Sequence, residues 1–156
     1  LNFFSEEEII KGVKTNYPGS KEFYGIHFFS KSDTYDQYSF MIKSNDKKYR
    51  IYSLSGDIYF IDDLPGCLKK KEEIVKDVSS MFSNVKKNTY SHEYKTLADG
   101  KSFAKITDLE NLKNGLIRIF CNTYSKKAEK LGYKDTLVVN ISTNELTDWI
   151  NNKAYK

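Results

Sequence analysis

Apolar residues in the first half of the chain alternate with polar ones or form short runs, which is the pattern typical of strands. This pattern predicts four strands, at residues 23–29, 38–43, 49–54 and 58–61. Ser55-Gly56-Asp57, between the last two runs, has the composition of a tight hairpin turn. The connections are short, so the four strands are expected to form an antiparallel meander.

Four further runs predict strands in the second half, at residues 94–97, 103–106, 116–123 and 136–143. The last two are the stronger predictions, because they are longer and richer in β-branched and aromatic residues. A second antiparallel set of four strands is therefore expected.

Helical spacing of apolar residues marks the segments that precede or follow these strands. Residues 5–13 begin with a capping box and continue with apolar positions at helical spacing, which predicts a short helix. Residues 68–85 carry the strongest amphipathic stripe, with a lysine-rich opposite face. Residues 125–132 predict a helical turn that ends at a glycine, and a second capping box at 142–145 opens a short C-terminal helix.

Two pairs of similar segments suggest an internal repeat. EEIIKGV at residues 7–13 resembles EEIVKDV at 72–78, and both fall on predicted helices that precede a set of strands. Arg50 and Arg118 lie in similar strand segments, YRIYS and IRIFC. Matches this short also arise by chance in a chain rich in Lys, Glu and Ile, so coincidence is the alternative.

The repeat predicts an α+β fold made of two tandem helix-plus-four-stranded antiparallel meander units and a short C-terminal helix. Residues 1–66 would form the first unit and residues 67–156 the second, packed as one compact body. This plan is similar to that of tandem cystatin-like folds. The Gln-x-Val-x-Gly hairpin of cystatins is absent, so the resemblance implies no protease-inhibitor function.

The two cysteines of the chain, Cys67 and Cys121, predict one disulfide. Strand alternation places Cys121 on the apolar face with Ile117 and Ile119, and Cys67 lies just before the helix expected to cover that face. A disulfide favours a secreted protein, and the LNFF start without Met is explained by a removed signal peptide. The alternatives are two buried free thiols in a cytosolic protein and a trimmed start.

Composition argues against several classes of partner. The net charge of +4 is modest, and only two of the 25 cationic residues are Arg, so nucleic-acid binding is not expected. No apolar run approaches the roughly 20 residues that span a bilayer. The cysteines and the two histidines have no metal-ligand spacing, so neither a metal nor a cofactor is expected.

The sequence favours binding over catalysis. His27 and His92 lie in no nucleophile motif, and strand histidines are most often structural. The predicted function is an exported, non-enzymatic module that engages another protein through an aromatic and basic sheet face or through hairpin loops. Coverage of this face by the other unit or by the C-terminal helix is the alternative explanation. The candidate binding residues are His27, Phe29, Arg50, Tyr52, Arg118 and Phe120.

Two other functions are compatible with the sequence. The protein could carry a small apolar ligand between helix and sheet, or, with less support, be an enzyme that uses His27 and Asp36. Asn140-Ile141-Ser142 also matches the acceptor pattern for N-glycosylation. The predicted lining of the apolar-ligand site is Tyr24, Ile26, Phe28, Tyr38 and Phe40.

Overall fold

A computed structural model describes residues 12–29, 34–48 and 50–156 of the chain. These residues form eight strands, three α-helices and one 3-10 turn at Lys95–Leu97. The helices are α1 (Leu64–Ser80), α2 (Lys126–Glu129) and α3 (Asn144–Asn152). The strands are β1 (Val13–Asn16), β2 (Phe23–Phe29), β3 (Gln37–Lys43), β4 (Ile51–Tyr59), β5 (Lys86–Glu93), β6 (Phe103–Leu112), β7 (Gly115–Thr123) and β8 (Thr136–Thr143).

All eight strands belong to one antiparallel sheet, in the order β1-β2-β3-β4-β8-β7-β6-β5. Consecutive strands are neighbours within each half of the chain, as short connections favour. The two halves are joined where β4 pairs with β8 from Ser53↔Ser142 to Tyr59↔Thr136. The fold therefore depends on a pairing between strands that are far apart in sequence.

The prediction of two tandem helix-plus-four-strand units, similar in plan to cystatins, is wrong. The β4–β8 pairing merges the strands into one sheet, and α1 packs across β6, β7 and β8. Residues 5–11 of the predicted first helix lie outside the described residues, and Val13 begins strand β1. Arg50 precedes β4 whereas Arg118 lies in β7, so the two arginines do not occupy equivalent strands. The proposed domain boundary after residue 66 falls inside α1.

The predicted hairpin at Ser55-Gly56-Asp57 is also wrong, because β4 runs straight through these residues. The ring of Tyr35 lies against Gly56, and a Cβ atom added there would be 2.6 Å from that ring. Glycine in a strand interior often marks such a close approach rather than a turn. Gly56 is therefore present because the ring of Tyr35 leaves no room for a side chain, and not because the chain turns there.

Helix α1 forms as expected but begins earlier than its apolar stripe suggests. The side chain of Asp63 accepts a hydrogen bond from the backbone N–H of Gly66, and Pro65 occupies the first turn. Met81 and Phe82, predicted to continue the buried stripe, lie beyond the helix and are exposed. The helical turn near residue 125 and the C-terminal helix are confirmed as α2 and α3.

The buried face of α1 covers the largest apolar core. Cys67 and Val75 of the helix pack against Leu109, Ile117, Ile119, Cys121 and Leu137 of the sheet. The predicted disulfide between Cys67 and Cys121 is present and ties the first turn of α1 to β7. The alternation that placed Ile117, Ile119 and Cys121 under a helix is confirmed.

Helix α3 lies on the opposite face of the sheet. Its Leu146 and Trp149 pack with Phe23 and Tyr52 in a second, largely aromatic core. The ring of Phe23 lies 5.0 Å from those of both Tyr52 and Trp149. Because α3 is short, it covers only one part of this face of the sheet. We call the whole face the α3 face.

A polar cavity on the α3 face of the sheet

The part of the α3 face next to the helix is polar. Ser53 and Ser55 of β4 are two residues apart and therefore share one face of the sheet, which is the α3 face. Asn140 of β8 is the direct partner of Ser55. Arg118 of β7 is in turn the partner of Asn140. Three adjacent strands thus contribute hydroxyl, amide and guanidinium groups to one area.

A cavity of about 180 Å³ opens over these residues. Its volume corresponds to about six water molecules at about 30 Å³ each, enough for one amino-acid side chain or a small polar molecule. Helix α3 contributes Leu146 and Ile150 as well as Thr147 and Asn151, while the sheet side is mainly polar. The lining comprises Tyr17, Gly25, His27, Ser39, Phe40, Met41, Ser53, Ser55, Leu116, Arg118, Asn140, Ser142, Leu146, Thr147, Ile150 and Asn151.

Asn140 determines how the two serine hydroxyls point. Its Nδ2 donates to Ser53 Oγ at 2.6 Å and to Ser55 Oγ at 2.7 Å, so both amide hydrogens are used. A hydroxyl that accepts a hydrogen bond can still donate its own hydrogen to a second group. The two serines therefore offer donors to an acceptor that enters the cavity.

His27 offers a further donor. Gln37 Nε2 lies 3.4 Å from His27 Nδ1, and an amide nitrogen only donates, so Nδ1 accepts and Nε2 carries the hydrogen. Burial lowers the pKa of His27, which keeps the ring neutral at pH 7. The ring lies over Gly25, where an added Cβ would be 3.1 Å from Nε2. Glycine at this position leaves room for the imidazole.

Arg118 is held in place by Asp108 on the neighbouring strand. Its Nε donates to Oδ1 at 2.7 Å and its Nη2 to Oδ2 at 2.9 Å, and Tyr90 donates to the same Oδ2 at 3.1 Å. Asp108 is buried, so its charge needs these partners. The pair balances the charge of Arg118, which lines the cavity and keeps Nη1 as a donor that Asp108 does not use.

Asp57 lies on the same face, two residues after Ser55. Gln37 and Val138 are its direct cross-strand neighbours. Within the described ranges no hydrogen bond or ion pair to its carboxyl group is found, and burial raises its pKa to about 6. Most carboxyl groups have a pKa near 4, so the carboxyl group of Asp57 loses its proton at a higher pH than they do.

Five of the six predicted binding residues share the α3 face. His27 and Arg118 line the cavity, while Phe29 and Phe120 lie on the same face outside it. Tyr52 also lies on this face but is buried under α3. Arg50 is exposed before β4 and pairs with Asp46 at 2.7 Å.

The buried position of Tyr52 has a local cause. The β3–β4 pairing shifts at this point, so that Met41 faces Ser53 while Ile42 faces Ile51. Tyr52 is the extra residue, and the irregularity turns its ring towards α3. Simple alternation along 49–54 cannot anticipate such a shift.

Sequence reasoning missed the most polar part of the site. Ser53, Ser55 and Asn140 were read as a strand, a turn and a glycosylation pattern. The alternation of Ser53 and Ser55 was a usable signal, but only within a β4 that continues through Gly56. Asn140 becomes their partner only through the long-range β4–β8 pairing.

The residues predicted to hold an apolar ligand lie on the α1 face of β2 and β3. They contact one another: the ring of Phe28 lies 6.0 Å from that of Tyr38 and 5.4 Å from that of Phe40. Helix α1 packs over β6, β7 and β8, and residues 5–11 of the helix that was expected above Tyr24 and Ile26 lie outside the described residues. His27 and Asp36 are not bonded to each other, because Asp36 Oδ2 accepts from the backbone N–H of Tyr59 at 2.7 Å.

Asp62, Glu129 and Asp135 form an acidic cluster near α2, with ligand atoms within 4.8 Å of one another. Lys126 Nζ already lies 2.6 Å from Asp62 and 3.0 Å from Glu129. Asp135 Oδ1 accepts from the backbone N–H of Tyr124 at 2.7 Å. These bonds account for the cluster as a local ion-pair network.

Comparisons of the chain with models of protein families, with curated proteins and with solved structures find no match. None of the helices in the described part of the chain is both long and apolar enough to cross a bilayer. Function is therefore inferred from the residues of the α3 face.

Proposed function

We propose that the protein is an exported, non-enzymatic binding protein that engages another protein through its α3 face. The cavity would receive one side chain of the partner that ends in an oxygen acceptor, such as a carboxylate or an amide. The observation that carries this proposal is the bonding of Asn140 to Ser53 and Ser55, which line the cavity and keep their hydroxyl hydrogens for donation to a second group.

Further donors line the same cavity. The Nε2 hydrogen of His27 and the Nη1 group of Arg118 add to the two serine hydroxyls. Donors that converge on a partly enclosed site recognise an acceptor, and an unpaired donor there would be costly. Asp108 holds the guanidinium of Arg118 in a fixed direction, so little ordering is needed on binding.

Apolar surface next to the cavity supports a protein as the partner. Phe29 is 74% exposed on the same face, two residues from His27. Ile150 and Leu146 of α3 form the apolar side of the cavity. A polar pocket beside an exposed aromatic side chain is typical of protein interfaces, in which aromatic residues are enriched.

The Cys67–Cys121 disulfide supports export. Disulfides form and persist in oxidising compartments and are rare in the cytosol of most organisms. A signal peptide upstream of Leu1 would test this part of the proposal directly.

The binding proposal is tested by affinity capture from the fluid that surrounds the source cells, followed by affinity measurement with the purified partner. The decisive variant is Ser53→Ala/Ser55→Ala, which removes two donors and little volume. Each lost hydrogen bond should weaken binding roughly three- to tenfold. Lys47→Ala, in an exposed turn after β3, is the matched control and should bind as the wild type does. A partner that binds the double serine variant with unchanged affinity would exclude the cavity as its site.

A further inference from the structure

Strand β5 forms one edge of the sheet. It pairs with β6 without interruption from Lys86↔Glu110 to Glu93↔Phe103, and in the described part of the chain no strand lies on its other side. All eight residues of β5 are exposed. In an antiparallel strand every second residue directs its N–H and C=O away from its neighbour, so this edge presents a row of unpaired backbone groups.

The edge lacks two of the features that usually prevent strands from pairing, although Lys86 and Lys87 lie at one end of it. β5 contains no proline, and its pairing with β6 shows no bulge. By contrast, the opposite edge strand β1 has only four residues. A long, regular edge of this kind is a template for a further strand.

The side chains of β5 are complementary to those of a second β5. Two copies related by a two-fold axis through Tyr90 pair antiparallel, so that Tyr90 faces its own copy and Thr89 faces Ser91. In the same register Asn88 faces His92, and Lys87 faces Glu93. Each pair shares a face of the sheet, as antiparallel pairing requires, and hydroxyl, aromatic and opposite-charge pairs are favourable across strands.

This register differs from its neighbours. A shift by one residue would pair side chains on opposite faces of the sheet, which the pleat does not allow. A shift by two places Lys87 opposite Ser91 or Lys95, so that the Lys–Glu pairs are lost. Neither Lys87 nor Glu93 forms an ion pair with another residue of the described ranges.

We propose that two copies of this chain associate through their β5 strands, in the register centred on Tyr90, to form one sixteen-stranded sheet. The association is isologous, because the same strand is used by both copies. One strand pair buries less than the roughly 1,200 Å² of a stable interface, so the dimer should be weak and depend on concentration. No residue of β5 lines the cavity of the α3 face, so the proposal does not depend on the proposed function.

Charge reversal tests the pairing. Lys87→Glu or Glu93→Lys places like charges opposite each other twice in the dimer and should raise the dimer dissociation constant roughly three- to tenfold, measured by analytical ultracentrifugation at low salt. The double variant Lys87→Glu/Glu93→Lys restores both pairs and should dimerise as the wild type does. A protein that stays monomeric at all concentrations, or a dimer that none of these variants alters, would overturn the proposal.

Cross-linking tests the register. The described cysteines are both in the disulfide, so an introduced cysteine is the single thiol. Tyr90→Cys lies on the two-fold axis and should form a disulfide-linked dimer on mild oxidation, since directly opposite residues lie within bridging distance. Asn88→Cys is the control, because its copy lies about 13 Å away along the strand and should not react. Equal cross-linking of the two variants would exclude this register.

Discussion

The side chains of Arg118 and Asp108 form a bidentate ion pair across β7 and β6, with N–O distances of 2.7 and 2.9 Å. Asp108 is only 4% exposed, whereas the guanidinium reaches the cavity of the α3 face. The same interaction therefore stabilises the sheet and positions a donor of the candidate site. Removing it should affect both stability and binding.

We expect Arg118→Ala to lower the free energy of unfolding by about 2 kcal/mol, because it leaves the buried carboxylate of Asp108 with the hydroxyl of Tyr90 as its remaining side-chain partner. Urea denaturation measures the change. Arg50→Ala is the matched control, because the Arg50 side chain is 66% exposed and its ion pair with Asp46 is therefore weakened by solvent, and because Asp46 keeps a hydrogen bond from the backbone N–H of Lys48. A loss for Arg118→Ala no larger than that for Arg50→Ala would contradict this account.

A second prediction concerns Asp57, whose pKa is raised to about 6 by burial. An unfolded aspartate has a pKa near 3.9, so the folded protein binds the proton more tightly. The contribution of Asp57 to stability is therefore fully present below about pH 4 and is lost as the pH rises through about 6. We expect Asp57→Asn to be more stable than the wild type at pH 7.5, by about 2 kcal/mol, and to differ little from it at pH 4.

Asp77→Asn is the control for this prediction, because Asp77 lies on the exposed side of α1 and its substitution makes the same change in charge. Thermal or urea unfolding at several pH values gives the comparison. If Asp57→Asn and Asp77→Asn have parallel stability profiles from pH 4 to 7.5, burial of Asp57 is not the cause.

The disulfide gives a third prediction. Cys67 and Cys121 are 54 residues apart, and closing a loop of this length in the unfolded chain is expected to stabilise the fold by about 4 kcal/mol. The free energy of unfolding of the variant Cys67→Ala/Cys121→Ala, measured in urea, should be lower by about this amount. The intact mass of the wild-type protein under non-reducing conditions should be lower by two hydrogens than after reduction. A double variant as stable as the oxidised wild type would show that α1 needs no covalent tie to β7.

The apolar spacing and the strand alternation of the sequence correctly predicted the features that depend on residues close together in the chain. Apolar spacing identified α1 and α3, and strand alternation placed Cys121 under α1, where it meets Cys67. β5 was missed because this strand buries neither of its faces, so its sequence KKNTYSHE carries no apolar alternation. Its place at the sheet edge also depends on the pairing of β4 with β8, which no short window of sequence contains.

In the candidate site, too, the residues that local patterns identify differ from those that depend on long-range strand pairing. His27 and Arg118 were found from strand alternation and residue type, and both line the cavity. Tyr52 lies on the predicted face, through an irregularity in the β3–β4 pairing, but it is buried under α3. Asn140 has a role only because β8 lies beside β4, so sequence alone gave it another interpretation.

That other interpretation leads to the last prediction. Asn140-Ile141-Ser142 matches the pattern for N-glycosylation, yet Asn140 lies within β8 and its Nδ2, the atom that would carry the glycan, donates to Ser53 and Ser55. A glycan there would break both bonds and would have to fit beneath α3. We expect the folded protein secreted from a eukaryotic host to carry no glycan, so that its mass is unchanged by an endoglycosidase. Ser142→Ala, which removes the acceptor pattern but leaves Asn140, should then be secreted with the same mass apart from the substitution. A glycosylated wild type with native stability would show that the Asn140 side chain leaves the cavity in solution.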